Sequence, residues 1–241
     1  MKKAKPFRFK KFEIRQENAT MKVGTDGVLL GAWTNVANRS KALDIGTGTG
    51  LIAMMIAQRN PELEVLAIEP DEASSEEALM NFSASPFSDR LQLLNGYVQE
   101  IQGLRPKSFD LIVSNPPFFL AGSKSDNIKR HNARHTETLS FEDLLFAVQM
   151  LLNEKGLFSL ILPPIEAEVF KKKALLFDLH LNRCTLVCPK ESKGVERGLM
   201  EFSSDQTESI EQSKLVINEE SGRNNWTPAY RALTQAFHTI I

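Results

Sequence analysis

The sequence predicts an α/β protein: a seven-stranded, mostly parallel, doubly wound sheet whose last two strands form a terminal antiparallel β-hairpin. Three observations predict it. From Lys41 onward, short apolar runs of strand character alternate with stretches of helical apolar spacing. A glycine-rich turn, Gly46-Thr47-Gly48-Thr49-Gly50, separates the first such strand from the first helix, as a nucleotide-binding α/β domain requires. The last two apolar runs have no helix between them, so they can pair only as antiparallel neighbours.

Taken in order, the pattern places strands at 41–45 and 63–69, with helices at 50–59 and 72–82. Strands at 91–94 and 109–113 follow. Phe141 to Leu152 has helical spacing, Gly156 stops it, and Leu157–Leu162 reads as a buried strand. Pro163-Pro164 introduces a helix near 165–177, and strands over Leu179–Val187 and 197–203 flank a turn containing Lys193-Gly194. Ahead of the core, Phe7, Phe9, Phe12 and Ile14 give the start of the chain a strand-like pattern. Residues 1–35 are therefore expected to form an N-terminal extension, and 36–241 a Rossmann-like core, within one domain.

With 241 residues and 42% apolar content, the chain can bury a substantial core. No apolar run reaches membrane-spanning length, and the lysine-rich start lacks the apolar centre of a signal peptide, so a cytoplasmic location is expected. Cys184 and Cys188 fall on one face of a strand with no accompanying Cys/His cluster, which predicts buried free thiols. His131, His135, His180 and His238 show no metal-ligand spacing, and no metal is expected; the chain is expected to be a monomer.

Net charge is −1, but the charges are segregated. Lys2, Lys3, Lys5, Arg8, Lys10 and Lys11 crowd the N-terminus, and Lys124, Lys129, Arg130, His131, Arg134 and His135 form a second basic group, whereas Asp71, Glu72, Glu76 and Glu77 lead the acidic ones. Such segregation gives a near-neutral protein one face for phosphates.

The glycine turn discriminates among nucleotide ligands. A dinucleotide fingerprint needs GxGxxG, but here the third glycine, Gly50, comes one residue early and Leu51 occupies the expected site. Asp44 precedes the glycines; its carboxylate suits a cationic sulfonium ligand bearing an α-amino group and would repel a pyrophosphate. Gly46 and Gly48 leave room for the ligand, and Glu69, at the end of the next strand, has lone pairs enough to accept from both hydroxyls of a ribose. These residues predict S-adenosylmethionine.

Downstream, Phe109-Asp110-Leu111-Ile112-Val113 runs into Ser114-Asn115-Pro116-Pro117-Phe118. Asn and Pro also punctuate ordinary strand ends. Paired with the glycine motif, the junction carries chemistry. The lone pair of a planar exocyclic amine is delocalised, and a methylating site must localise it. The Asn115 side-chain carbonyl and the Pro116 backbone carbonyl can accept from the two amine hydrogens, the prolines fix φ and donate no competing N–H, and Phe118 can stack on the ring.

These motifs together resemble bacterial tRNA (adenine-N(6)) methyltransferases, a family of class I methyltransferases that modify the adenosine beside the anticodon of a valine tRNA. The resemblance extends to Met21-Lys22-Val23-Gly24-Thr25-Asp26-Gly27-Val28-Leu29-Leu30-Gly31-Ala32-Trp33, to Ala133-Arg134-His135, to Leu139-Ser140 and to Tyr230-Arg231-Ala232-Leu233-Thr234. It implies S-adenosylmethionine as cofactor and tRNA as partner, with Asn115, Pro116, Pro117 and Phe118 as the catalytic loop. It also places Thr25 and Asp26 beside the methionine end of the cofactor, where the alternative is a plain N-cap of a helix, and Lys129, Arg130 and Arg134 on RNA phosphates. Two departures stand out. Tyr97 occupies a position that is often acidic, leaving the Val98 N–H and the Tyr97 ring or hydroxyl to meet the cofactor's adenine, and Phe118 replaces the commoner Tyr. Phe at that place also occurs in ribosomal-RNA guanine-N(2) methyltransferases, so that activity stays open, as do protein glutamine methylation and an inactive RNA-binding scaffold.

Overall fold

Eight strands in the order β10-β8-β9-β7-β6-β3-β4-β5 run through the computed structural model, which describes residues 5–117, 139–222 and 225–238. From one edge inward lie β5 (Leu91–Asn95), β4 (Glu64–Glu69), β3 (Lys41–Ile45), β6 (Phe109–Ser114) and β7 (Leu152–Leu162). Toward the other edge lie β8 (His180–Cys188), β9 (Arg197–Ser203) and β10 (Glu211–Val216). β1 (Phe7–Arg8) and β2 (Glu13–Ile14) pair separately as a short antiparallel hairpin.

Side chains alternate across the sheet, so each face carries its own core. Ala42, Leu111, Val113 and Ile161 face α1 (Thr25–Trp33) and α2 (Leu51–Arg59), and Tyr230 from α6 (Pro228–Thr234) joins that core. Leu43, Ile45, Ile112 and Leu160 face α4 (Phe141–Leu151) and α5 (Pro164–Ala174) on the other side. α3 (Glu72–Ala84) contributes Phe82 to the first core. Cys184 and Cys188 are buried and free.

Two features differ from the sequence reading. The reversed strand β9 is not at the edge: it pairs antiparallel with both β7 and β8, and β10 adds an eighth strand parallel to β8. β10 reads Glu211-Gln212-Ser213-Lys214-Leu215-Val216 with its first four residues exposed, so no apolar alternation betrays it. In addition, β7 begins at Leu152, directly after α4, and Gly156 lies inside it beside an irregularity in the β6 pairing. A Cβ at Gly156 would stand 2.5 Å from Leu152 Cδ1, so glycine permits the bulge instead of merely stopping the helix.

β3, β4, β5, β6, β7, β8 and β10 all point the same way. Their carboxyl ends form one rim, where open α/β sheets bind ligands. No helix among the described residues is long and apolar enough to cross a membrane.

Candidate active site

The turn after β3 is shaped by three left-handed glycines. Gly46, Gly48 and Gly50 have φ of 73°, 57° and 84°, which disfavour any residue with a Cβ. The amides of Gly46 and Thr47 donate to the Ile68 carbonyl at 2.9 and 3.1 Å, tying the turn to β4. A Cβ built on Gly46 or Gly48 would meet nothing within 4 Å, so both look onto open space; one on Gly50 would strike Phe82 Cε1 at 2.4 Å.

Asp44 departs from the direct ligand contact read from the sequence. It is fully buried and outside the cavity lining; its Oδ2 accepts from Thr47 Oγ1 at 2.6 Å and from the Ala53 amide at 3.1 Å, and its Oδ1 has no partner among the described residues. Burial pushes its pKa up to about 7, against the pull of those two bonds. Asp44 therefore fastens the turn to the start of α2 from below.

Glu69 does line the cavity. Its Oε2 accepts from the Gly48 amide at 2.8 Å and its Oε1 from the Asp71 amide at 3.0 Å, leaving further lone pairs on both oxygens. Burial raises its pKa, and the Asp71 and Gly48 bonds oppose the shift. The amide of Gly96 and the side chain of Asn95 donate to the Glu69 carbonyl, which brings half-buried Tyr97 and buried Val98 to the same wall.

A strap from the N-terminal segment covers this side. The Glu77 carboxylate, 1% exposed, accepts from three consecutive amides: Glu17 at 2.6 Å, Asn18 at 3.2 Å and Ala19 at 2.8 Å. Asn81 Oδ1 takes the Arg15 amide at 2.8 Å. Residues from Thr20 to Leu29 then border the cavity. The N-cap of α1 is Gly24, with no side-chain capping bond, so the alternative reading of Thr25 or Asp26 as a plain N-cap does not hold. Asp26 instead accepts from Arg197 Nε at 2.7 Å, joining α1 to the start of β9.

At the end of β6, Ser114 Oγ donates to the Ile45 carbonyl at 2.9 Å and holds the strand end level with the glycine turn. Asn115 comes next, half-buried and in the cavity wall, and its Oδ1 is buried without a hydrogen-bond partner among the described residues. A buried acceptor left unpaired costs about 1–3 kcal/mol, so a donor that enters the cavity and reaches it is favoured. Pro116 and Pro117 follow in the same wall and have no N–H to satisfy it internally. Phe118, Lys129, Arg130 and Arg134 lie outside the described residues.

One cavity of about 1150 Å³ connects these parts. Sequence reasoning brought together Gly46, Gly48, Glu69, Tyr97, Val98 and Asn115, and all of them line it. It missed the wall beyond Asn115, made by Val187, Ile217, Trp226, Tyr230 and His238. Only Tyr230 stood in a segment the sequence had singled out.

The comparisons with known proteins agree with this geometry. Residues 21–143 match the model of the family described as "Methyltransferase small domain". The chain is 41% identical over 232 residues to the tRNA1(Val) (adenine(37)-N6)-methyltransferase of Pseudoalteromonas translucida, covering 96% of this chain and 97% of the relative. The protein of the same name from Flavobacterium psychrophilum is 42% identical, with 96% and 98% covered. The chain belongs to the tRNA1(Val) (adenine(37)-N6)-methyltransferase family. Among solved structures, a predicted O-methyltransferase from Agrobacterium tumefaciens has a TM-score of 0.66 at 20% identity, covering 88% of this chain and 96% of that one. Pyrococcus horikoshii TYW2 in complex with MeSAdo has a TM-score of 0.54 at 14% identity, covering 79% and 67%. At such identities the likeness concerns the fold, which for this family member is that of class I methyltransferases.

Proposed function

We propose that this chain methylates N6 of adenine 37 in the anticodon loop of a valine tRNA, in the cytoplasm, with S-adenosylmethionine as donor. The observation that carries the reading is the buried Asn115 Oδ1, unpaired among the described residues, in a cavity it shares with the glycine turn. The names of relatives that match this chain over nearly its whole length supply the substrate.

The residues present fit the cofactor. Gly46 and Gly48 leave space where a Cβ would otherwise stand, and Glu69 keeps acceptor capacity for two ribose hydroxyls. Tyr97 and Val98, which line the cavity, would meet its adenine, while Thr25 and Asp26 would border its methionine end from the N-terminal extension. When bound, S-adenosylmethionine supplies an electrophilic methyl group. On the acceptor side, Asn115 Oδ1 and the Pro116 carbonyl take the two hydrogens of the 6-amino group, so its lone pair becomes available for attack. Phe118 stacks on the base. The amine would become cationic as its N–C bond forms and the methyl group's bond to sulfur breaks, with neutral S-adenosylhomocysteine as the leaving group; the growing charge strengthens both hydrogen bonds in the transition state, and the amine's proton then passes to water. Each such bond contributes about 1.5–3 kcal/mol, or roughly 10–100-fold in rate. An anticodon-loop base is already unpaired and so costs less to extrude than a duplex base. Lys129, Arg130 and Arg134 hold the loop phosphates, making binding weaken steeply with salt.

Incubation with labelled S-adenosylmethionine and unmodified tRNA, followed by nucleoside mass spectrometry, tests the reading. N6-methyladenosine in valine tRNA is the expected product. N2-methylguanosine, or label in protein, overturns it.

A further inference from the structure

Resting on the proposed RNA methylation, we propose that Trp226 and His238 form a stacking subsite for the nucleotide next to the target adenine. The sheet order is the first support. The glycine turn, Glu69 and Tyr97 stand at the ends of β3, β4 and β5, on one side of Asn115; Val187, Ile217, Trp226 and His238 stand by the ends of β8 and β10, on the other. The adenosyl end of the cofactor thus belongs to the first wing, and the part of the second wing beside Trp226 and His238 is open to the acceptor. At about 1150 Å³ the cavity exceeds the roughly 300–1,000 Å³ of a site for one small ligand.

The chemistry of that wing is the second support. The Trp226 and His238 rings stack at 4.7 Å between centroids and 29° between planes. Both are half-buried and line the cavity, whereas Tyr230, which packs behind them, is buried. Burial, with Lys10 nearby, lowers the His238 pKa, so the imidazole stays an uncharged ring near neutral pH. The platform is fixed from both sides. Lys10 donates its amide to the Phe237 carbonyl at 2.8 Å, and the Trp226 strand segment is held by an isolated bridge to Asn218 and by the Thr227 amide on the Ile217 carbonyl at 3.0 Å. A rigid, neutral aromatic pair beside a base-methylating loop has the character of an RNA stacking platform, which takes any base because every base has a π face.

The test uses the full chain and anticodon stem-loop RNAs that are intact, abasic on the 5′ side of the target, or abasic on the 3′ side. On intact RNA, Trp226→Ala should lose about 10-fold or more in kcat/KM, the rate equivalent of one lost stack, while Trp226→Phe retains most of it. Wild type should lose a similar factor on one abasic RNA, and on that RNA Trp226→Ala should lose nothing further. Cofactor affinity by calorimetry should be unchanged in both variants. The proposal is overturned if Trp226→Ala matches wild type on intact RNA, if its loss multiplies with that of both abasic RNAs, or if the loss lies in cofactor affinity. Should Trp226→Ala not fold, His238→Ala takes its place with the same expectations. A wild-type protein that methylates none of the stem-loops would instead refute the RNA methylation itself and take the subsite with it.

Discussion

The two wings of the cavity differ in how many of their polar groups are committed to the backbone. Around the glycine turn, Asp44 holds the Thr47 hydroxyl and the Ala53 amide, Glu69 holds the amides of Gly48 and Asp71, and Glu77 holds three amides of the strap. Past β6, Asn115 Oδ1, like Asp44 Oδ1 beneath the turn, has no partner among the described residues, but it stands in the cavity wall, and that wall turns aromatic. Polar groups spent on the backbone shape a site; polar groups left over recognise what enters it. Substitutions in the first wing should therefore act on folding, and those in the second on turnover.

Ranked by effect on stability, Glu77→Ala should be the most costly. It leaves three strap amides unpaired, and a loss of about 3 kcal/mol in denaturant unfolding is expected. A loss below experimental error would mean that water replaces the carboxylate and that the strap is held elsewhere. Gly50→Ala comes next, at about 1–3 kcal/mol, because the new Cβ meets Phe82 in a left-handed backbone position. Asp44→Asn should change a slope more than a level. The folded pKa of Asp44 lies near 7 against an ordinary 3.8, so the native state binds the extra proton between those values. Its share of stability is present below about 3.8 and is lost as pH rises to about 7; in Asp44→Asn, stability measured across that window should fall less steeply. Asp26→Asn should cost only about 0.2–1 kcal/mol, since the pair with Arg197 is partly exposed. Asn115→Ala should cost nothing or stabilise slightly, because it deletes an acceptor that has no partner among the described residues.

How much of this was legible in the sequence follows the same division. β3, β9 and the glycine turn were readable to the residue or nearly so, because apolar runs and glycines report burial and backbone conformation directly. β10 was not, since its outward residues are polar and its partner β8 ends more than 20 residues earlier. Asp44 was identified as important, but a motif does not say which way a carboxylate points. Here it points beneath the turn, to Thr47 and Ala53. The place of Asn115 in the cavity wall was legible because the proposed amine methylation calls for that side chain with those prolines. Trp226 and His238 were not, as they lie over 100 residues from Asn115 in the chain and are brought to its cavity only by the pairing of β10 with β8.

The central claim, that Asn115 Oδ1 waits for the hydrogen of a planar amine, is tested most directly by measuring cofactor affinity and single-turnover methyl transfer on one preparation of Asn115→Ala. The account predicts an unchanged dissociation constant for S-adenosylmethionine and a transfer rate lower by about 10–100-fold. A transfer rate equal to wild type, or a loss explained by weaker cofactor binding, would contradict it.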